Sequence, residues 1–191
     1  MAGRRPDAPQ RPRAALSRCS SSCGRLPGMP MNPWITNNFL DSCAFDPKYD
    51  PEDQAATEVF RLHKEQQLGI RLAHSVQKEV DHPGTPAWVK RAAQGLVHTG
   101  EVSLTPVERT MFQTIHAIVT GNGKPESVLD DARHIFEAQK YGAYFVTTDN
   151  HLLGRAEQLR HVCSVEVVLP SEFLAIVRRH PRLDRAARTG G

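Results

Sequence analysis

Two short apolar runs that each end on an aspartate constrain this chain more than any other feature: the segment with Ile35, Phe39 and Leu40 running into Asp41, and Tyr144-Phe145-Val146-Thr147 running into Asp149. The second is a continuous β-favouring run of the kind that forms a strand buried on both faces of a parallel sheet. Between and after them the spacing turns helical. Ala55, Ala56, Val59, Phe60 and Leu62 recur at three- and four-residue steps, predicting a helix over 51–68 that stops at Gly69. Residues 70–73 read as a brief strand, and Ser75 as the N-cap of a short helix carrying Val76, Glu79 and Val80, closed by Pro83 and Pro86. A small helix follows over 87–94. Thr105-Pro106-Val107-Glu108 is a capping box with proline at the first helical position, predicting a helix to Thr120. Ser127 reads as the cap of another, in which Val128, Ala132, Ile135, Phe136 and Gln139 line up before Gly142. Residues 152–159 are expected to be helical and 165–169 a strand, with Ser171 capping a last helix that carries Phe173, Leu174, Ile176 and Val177. Strands alternating with helices predict an α/β chain, a three-layer α/β/α sandwich on a mainly parallel central sheet. In such sheets the functional crevice lies beyond the carboxyl ends of the strands.

Length allows one such domain and little more, since the chain has 191 residues. We read 34–180 as the domain, 1–33 as a disordered Arg/Pro-rich leader and 181–191 as a disordered tail. The leader has six Arg against one acid and the tail three Arg against one, so residues 34–180 hold 15 basic and 19 acidic side chains, a net charge of −4. The overall charge of +3 therefore belongs to the ends and does not by itself indicate a nucleic-acid-binding surface. A leader that contacts RNA phosphates is the lesser reading beside a solvated tail. Arg4-Arg5 is followed by no apolar stretch, so no export signal is expected; Met29 or Met31 would serve as alternative starts. No apolar run is long enough to span a bilayer. Cys19, Cys23, Cys43 and Cys163 lack the paired spacing of a zinc site, and a reducing cytoplasm fits them best.

In a parallel sheet all carboxyl ends share one edge, so Asp41 and Asp149 are expected to face the same crevice. Asp131 lies in the first turn of the helix that feeds the second run, and Glu79 follows the strand at 70–73, so four carboxylates are expected to converge. Carboxylates that close raise one another's pKa unless a cation is shared between them. Oxygen ligands with no Cys or His at ligand spacing favour Mg²⁺ or Mn²⁺. Such ions activate water for attack on phosphorus and stabilise the leaving oxygen, so that no protein nucleophile is required.

Three segments carry a resemblance to a known family. Asn37-Asn38-Phe39-Leu40-Asp41-Ser42-Cys43-Ala44-Phe45, Ser75-Val76-Gln77-Lys78-Glu79-Val80, and the stretch from Leu129-Asp130-Asp131 through Gly142-Ala143 and Thr147-Thr148-Asp149 to Asn150-His151-Leu152-Leu153 resemble the PIN domain over about 35–180. Ser42 and Cys43 stand where that family often has Thr and Asn. The resemblance implies a PIN-like fold and a divalent-metal-dependent endoribonuclease, toxin-like or RNA-processing, acting on RNA that is expected to be single-stranded. It implies that Asp41, Glu79, Asp131 and Asp149 are catalytic metal ligands or orient ligand waters, and that Thr147 supports them by hydrogen bonding. An antitoxin-like protein partner covering the crevice and a homodimer are further implications. Asp130 adjoins Asp131 and offers a second carboxylate, but the match to Asp-Ala-x-x-Ile favours Asp131.

Blander readings stand beside these. Taken singly, each acid is an ordinary turn or helix-terminus residue. His134 and His151 read as packing or surface groups before proton-transfer groups, and Trp88 as core before a base-stacking platform. An aspartyl phosphatase would need a second Asp two residues after Asp41, where Cys43 stands. A phosphoacceptor receiver domain would want paired acids at a strand end, whereas Asp130 and Asp131 precede a helix. The remaining rival is a non-catalytic PIN-like module that binds RNA or protein.

Overall fold

In a computed structural model, which describes residues 31–45, 49–66, 68–98 and 103–182, four short strands pair entirely in parallel. They are β1 (Asn38–Leu40), β2 (Ile70–Leu72), β3 (Tyr144–Val146) and β4 (Glu166–Val168), in the order β2-β1-β3-β4. Every residue of β1 and β3 is buried, as expected of central strands covered on both faces. The chain passes from β1 out to β2 and then crosses back over β1 to reach β3. The strand order therefore reverses between β1 and β3, the place where a crevice opens at the carboxyl edge of a parallel sheet.

Eight α-helices connect and flank the described strands: α1 (Glu52–Gln66), α2 (Gln77–Asp81), α3 (Ala87–Ala93), α4 (Pro106–Thr120), α5 (Leu129–Tyr141), α6 (Asn150–Leu153), α7 (Ala156–Val162) and α8 (Pro170–Arg179). Successive strand residues point to opposite faces of a sheet. Tyr144 meets Phe173 of α8 at a ring distance of 5.4 Å. Phe39, in register with Phe145, points the other way, toward His98, whose ring stacks on Tyr141 of α5 at 4.4 Å. With α8 over one face and α5 over the other, the arrangement is compatible with three layers. Burying rings such as Phe39, Phe145 and Phe173 from water stabilises the sheet by about 1.5–3 kcal/mol each. At the end of α5 the backbones nearly touch. A Cβ on Gly142 would lie 2.5 Å from the Asn37 carbonyl oxygen and 2.8 Å from the Phe39 ring, so only glycine lets α5 turn into β3 here.

Several local expectations are corrected. Ile35 is not part of the first strand; it sits in the preceding turn, 61% exposed. The strand starts at Asn38, whose buried amide donates to the carbonyls of Pro33 and Gly69. The helix expected over 152–159 is two helices, α6 and α7. None of the three serines read as caps acts as one. Ser75 lies within a 3-10 turn (His74–Val76), Ser127 within another (Pro125–Val128), and Ser171 is the second residue of α8, whose cap position is Leu169. Both halves of the Thr105 and Glu108 capping box are present.

Residues 31–33, placed in the leader by composition, are tied to the fold: Tyr144 donates its hydroxyl to the Met31 carbonyl at 2.6 Å, and Asn32 donates to the carbonyl of Pro181. The expectations for residues 1–30 and 183–191 and for the Trp88 side chain lie outside what is described. No helix among the described residues is long and apolar enough to cross a membrane.

Candidate metal centre

Asp41 is the first residue beyond β1, and its N–H continues the ladder by donating to the Val146 carbonyl at 2.9 Å. That bond fixes its backbone against the end of β3. The side chain is 8% exposed and is held on both oxygens. The Ser42 N–H donates to Oδ1 at 2.7 Å, while the Thr147 hydroxyl and the Cys43 thiol donate to Oδ2 at 2.7 and 3.1 Å. Ser42 and Cys43 thus supply donors to Asp41 where the sequence placed them beside it. The Ser42 hydroxyl reaches further, donating to Glu79 Oε2 at 2.7 Å.

Thr147, fully buried just beyond β3, joins two of the acids. Its oxygen accepts the Asp149 N–H at 3.0 Å while its proton goes to Asp41. Asp149 is the N-cap of α6, its Oδ1 accepting the His151 N–H at 2.7 Å. Asp131 stands in the first turn of α5. Its pKa is raised from the ordinary value, first by burial and then by the charges of Asp41, Asp149 and Glu79, with His134 acting in the opposite direction. The other three acids expected to converge therefore all act on the Asp131 carboxyl. Asp130, the alternative, turns outward to a salt bridge with Arg133 at 2.7 Å.

Three groups that sequence reasoning set aside belong to this neighbourhood. His151 brings a ring nitrogen close to carboxylate oxygens of Asp131 and Asp149, all three ligand atoms lying within 4.8 Å of one another. His134 is 1% exposed, and neither ring nitrogen has a hydrogen-bond partner among the described residues; Nε2 is 3.8 Å from Glu79 Oε1. Leaving such a buried group unsatisfied costs about 1–3 kcal/mol. Cys43 is a partly buried thiol whose pKa is pushed up to about 11 by burial and by the neighbouring Asp41, so it stays protonated at neutral pH and serves as a hydrogen-bond donor.

The expectation that no histidine stands at ligand spacing is corrected for His151. The signal was present in the sequence as Asp149-Asn150-His151, because an aspartate that caps a helix fixes the residue two positions on beside its own carboxylate. From the sequence, His134 reads as a packing or surface group before a proton-transfer group. The donor set suits a divalent cation: clustered carboxylates whose repulsion is felt at Asp131, and an unsatisfied imidazole next to Glu79. Asp131, Asp149 and His151 would hold the ion, with Asp41 and Glu79 alongside. No protein-family model matches this chain, and no curated protein matches it.

Proposed function

We propose that this chain is a PIN-like, divalent-metal-dependent endoribonuclease that hydrolyses single-stranded RNA with Mg²⁺ or Mn²⁺ held by Asp41, Glu79, Asp131 and Asp149. The observation that carries the reading is the convergence on Asp131 of α5: at the switch point of the sheet its carboxyl meets the charges of three others, Asp41 at the end of β1, Asp149 beyond β3 and Glu79 of α2. When bound, a divalent cation supplies water activation and charge neutralisation at a phosphodiester.

The chain's own groups prepare the site for that ion. Thr147, Cys43 and the Ser42 N–H orient the Asp41 carboxylate, and the Ser42 hydroxyl orients Glu79. The α6 cap fixes Asp149. The obvious covalent nucleophiles are committed elsewhere. Cys43 is held as a neutral thiol and Ser42 donates to a carboxylate, with no histidine hydrogen-bonded to it among the described residues, which favours direct attack by water over an enzyme-bound intermediate. RNA is itself anionic, and four carboxylates repel it, so substrate binding should depend on the ion.

The test is cleavage of a fluorescent single-stranded RNA by purified protein with Mg²⁺, with Mn²⁺ and with chelator, in wild type, Asp41→Asn and Asp149→Asn. Cation-dependent cutting that both substitutions abolish is expected. RNA binding without cleavage across several sequences would replace this reading with the non-catalytic module, and activity persisting in both variants would place the chemistry elsewhere.

A further inference from the structure

We infer that His151 is a direct cation ligand, so that the centre is a mixed imidazole-carboxylate site selective for a divalent transition metal such as Mn²⁺ over Mg²⁺. The inference rests on the metal-dependent reading above and departs from the all-oxygen site that the acids alone would form.

Two observations carry it. The first is the convergence of one His151 ring nitrogen with carboxylate oxygens of Asp131 and Asp149, all within 4.8 Å of one another. Ligands at about 2.1 Å from one ion and at right angles to each other lie roughly 3 Å apart, so a modest rotation of the exposed His151 side chain closes the set. The His151 backbone is already fixed beside Asp149, whose Oδ1 accepts its N–H at 2.7 Å. The second is independent of the first. His134 projects from the next turn of α5 beyond Asp131, is 1% exposed, and has no hydrogen-bond partner on either ring nitrogen among the described residues, with Nε2 3.8 Å from Glu79 Oε1. Buried imidazoles are normally satisfied. His134 instead stands with its hydrogen-bonding capacity unused against Glu79, one of the acids of this cluster.

Donor chemistry then decides which cation. Mg²⁺ is a hard ion that takes oxygen ligands and retains water, and an imidazole nitrogen adds little to its binding. Divalent transition metals accept imidazole readily, with affinity rising along the series that begins at Mn²⁺. His151 should therefore widen the gap between Mn²⁺ and Mg²⁺ without being needed for the carboxylates to gather.

The experiment uses the full chain and Mn²⁺ or Mg²⁺ alone. Pulsed electron paramagnetic resonance of the Mn²⁺-loaded protein should show coupling to a directly bonded ¹⁴N nucleus. In His151→Asn that coupling should vanish, with Mn²⁺ affinity by calorimetry falling about tenfold and Mg²⁺ affinity nearly unchanged. His151 is exposed on the first turn of α6, and Asn keeps the backbone N–H that Asp149 caps, so the variant spares the core. Mn²⁺ that binds with no nitrogen coupling, or coupling that persists in His151→Asn, overturns the assignment while leaving the metal-dependent function standing. Absence of saturable binding of either ion would overturn that function as well.

Discussion

Thr147 has a single hydroxyl proton, and the geometry commits it to Asp41 Oδ2 while the oxygen takes the Asp149 N–H. Thr147→Val keeps the shape and removes both bonds. Losing a hydrogen bond to a carboxylate and leaving an amide unpaired should cost about 1–3 kcal/mol in urea unfolding, and cation affinity should fall about 10- to 100-fold as Asp41 loses its orientation. Thr147→Ser, which retains the hydroxyl, should recover most of both; equal losses in the two variants would assign the effect to packing. Asp131 calls for the opposite sign. Its pKa is higher in the folded chain than in the unfolded one, so the folded state binds its proton more tightly. The resulting stability is fully present below the unfolded value of 3.8 and is lost as pH rises through the folded one. In chelator at neutral pH, Asp131→Asn should therefore melt a few degrees above wild type, water screening part of the repulsion at this half-buried group. With saturating Mn²⁺ the order should reverse. A cation-free Asp131→Asn that melts below wild type would mean that the carboxylate is held by a favourable partner and not repelled by its neighbours.

At the scale of elements, the same substitution of partners recurs twice. Ser75 and Ser171 both looked like helix caps, and both instead donate their hydroxyls to glutamates on distant helices, Glu137 of α5 at 2.8 Å and Glu52 of α1 at 2.7 Å. Each glutamate also takes backbone N–H groups from the turn it serves: those of His74 and Ser75 for Glu137, that of Ser171 for Glu52. A buried carboxylate thus satisfies the start of a helical segment from across the fold, where it also meets the positive end of the peptide dipoles. Glu137 thereby anchors the turn that leads to Glu79. Glu137→Ala strands three donors and should cost about 3 kcal/mol in chemical denaturation, against about 1 kcal/mol for Ser75→Ala, which removes one bond. It should also weaken Mn²⁺ binding by displacing Glu79; unchanged binding would make the anchor purely structural. These pairs define what could be read from the chain in advance. The Thr105 box, the Tyr144–Val146 strand and the acids at the strand ends were legible because their signals are local, a few residues of spacing and one apolar run. A serine that caps its own helix and one that bonds to a glutamate on another helix look alike in sequence. Glu137 and His134 likewise read as ordinary members of an amphipathic helix, since nothing nearby in sequence says which face of α5 is covered. His151 was undervalued for a different reason: its ligand spacing is completed through Asp131, which only the fold brings near.

For the molecule as a whole, topology and charge act together. Crossing from β2 back to β3 places the ends of β1 and β3 side by side, and Gly142 lets the chain re-enter the sheet directly against Asn37 and Phe39. The carboxylates that gather there belong to a region of net charge −4, and on the proposed reading a bound cation would offset the repulsion felt at Asp131. An ion that binds the folded chain and not the unfolded one stabilises it by RT ln(1 + [L]/Kd), about 2.7 kcal/mol at 100 times the dissociation constant. For a domain of this size that corresponds to a rise of about 5–10 °C in melting temperature. Differential scanning calorimetry in Mn²⁺ against chelator should show the shift in wild type and lose it in Asp149→Asn. Asp130→Asn is the matched control. It removes a neighbouring carboxylate that is exposed and paired to Arg133 outside the cluster, so the shift should survive. If Asp130→Asn lost the shift and Asp149→Asn kept it, the cation would lie on the outer face of α5 and not at the switch point. If both kept it, the stabilising ion would be bound by other residues.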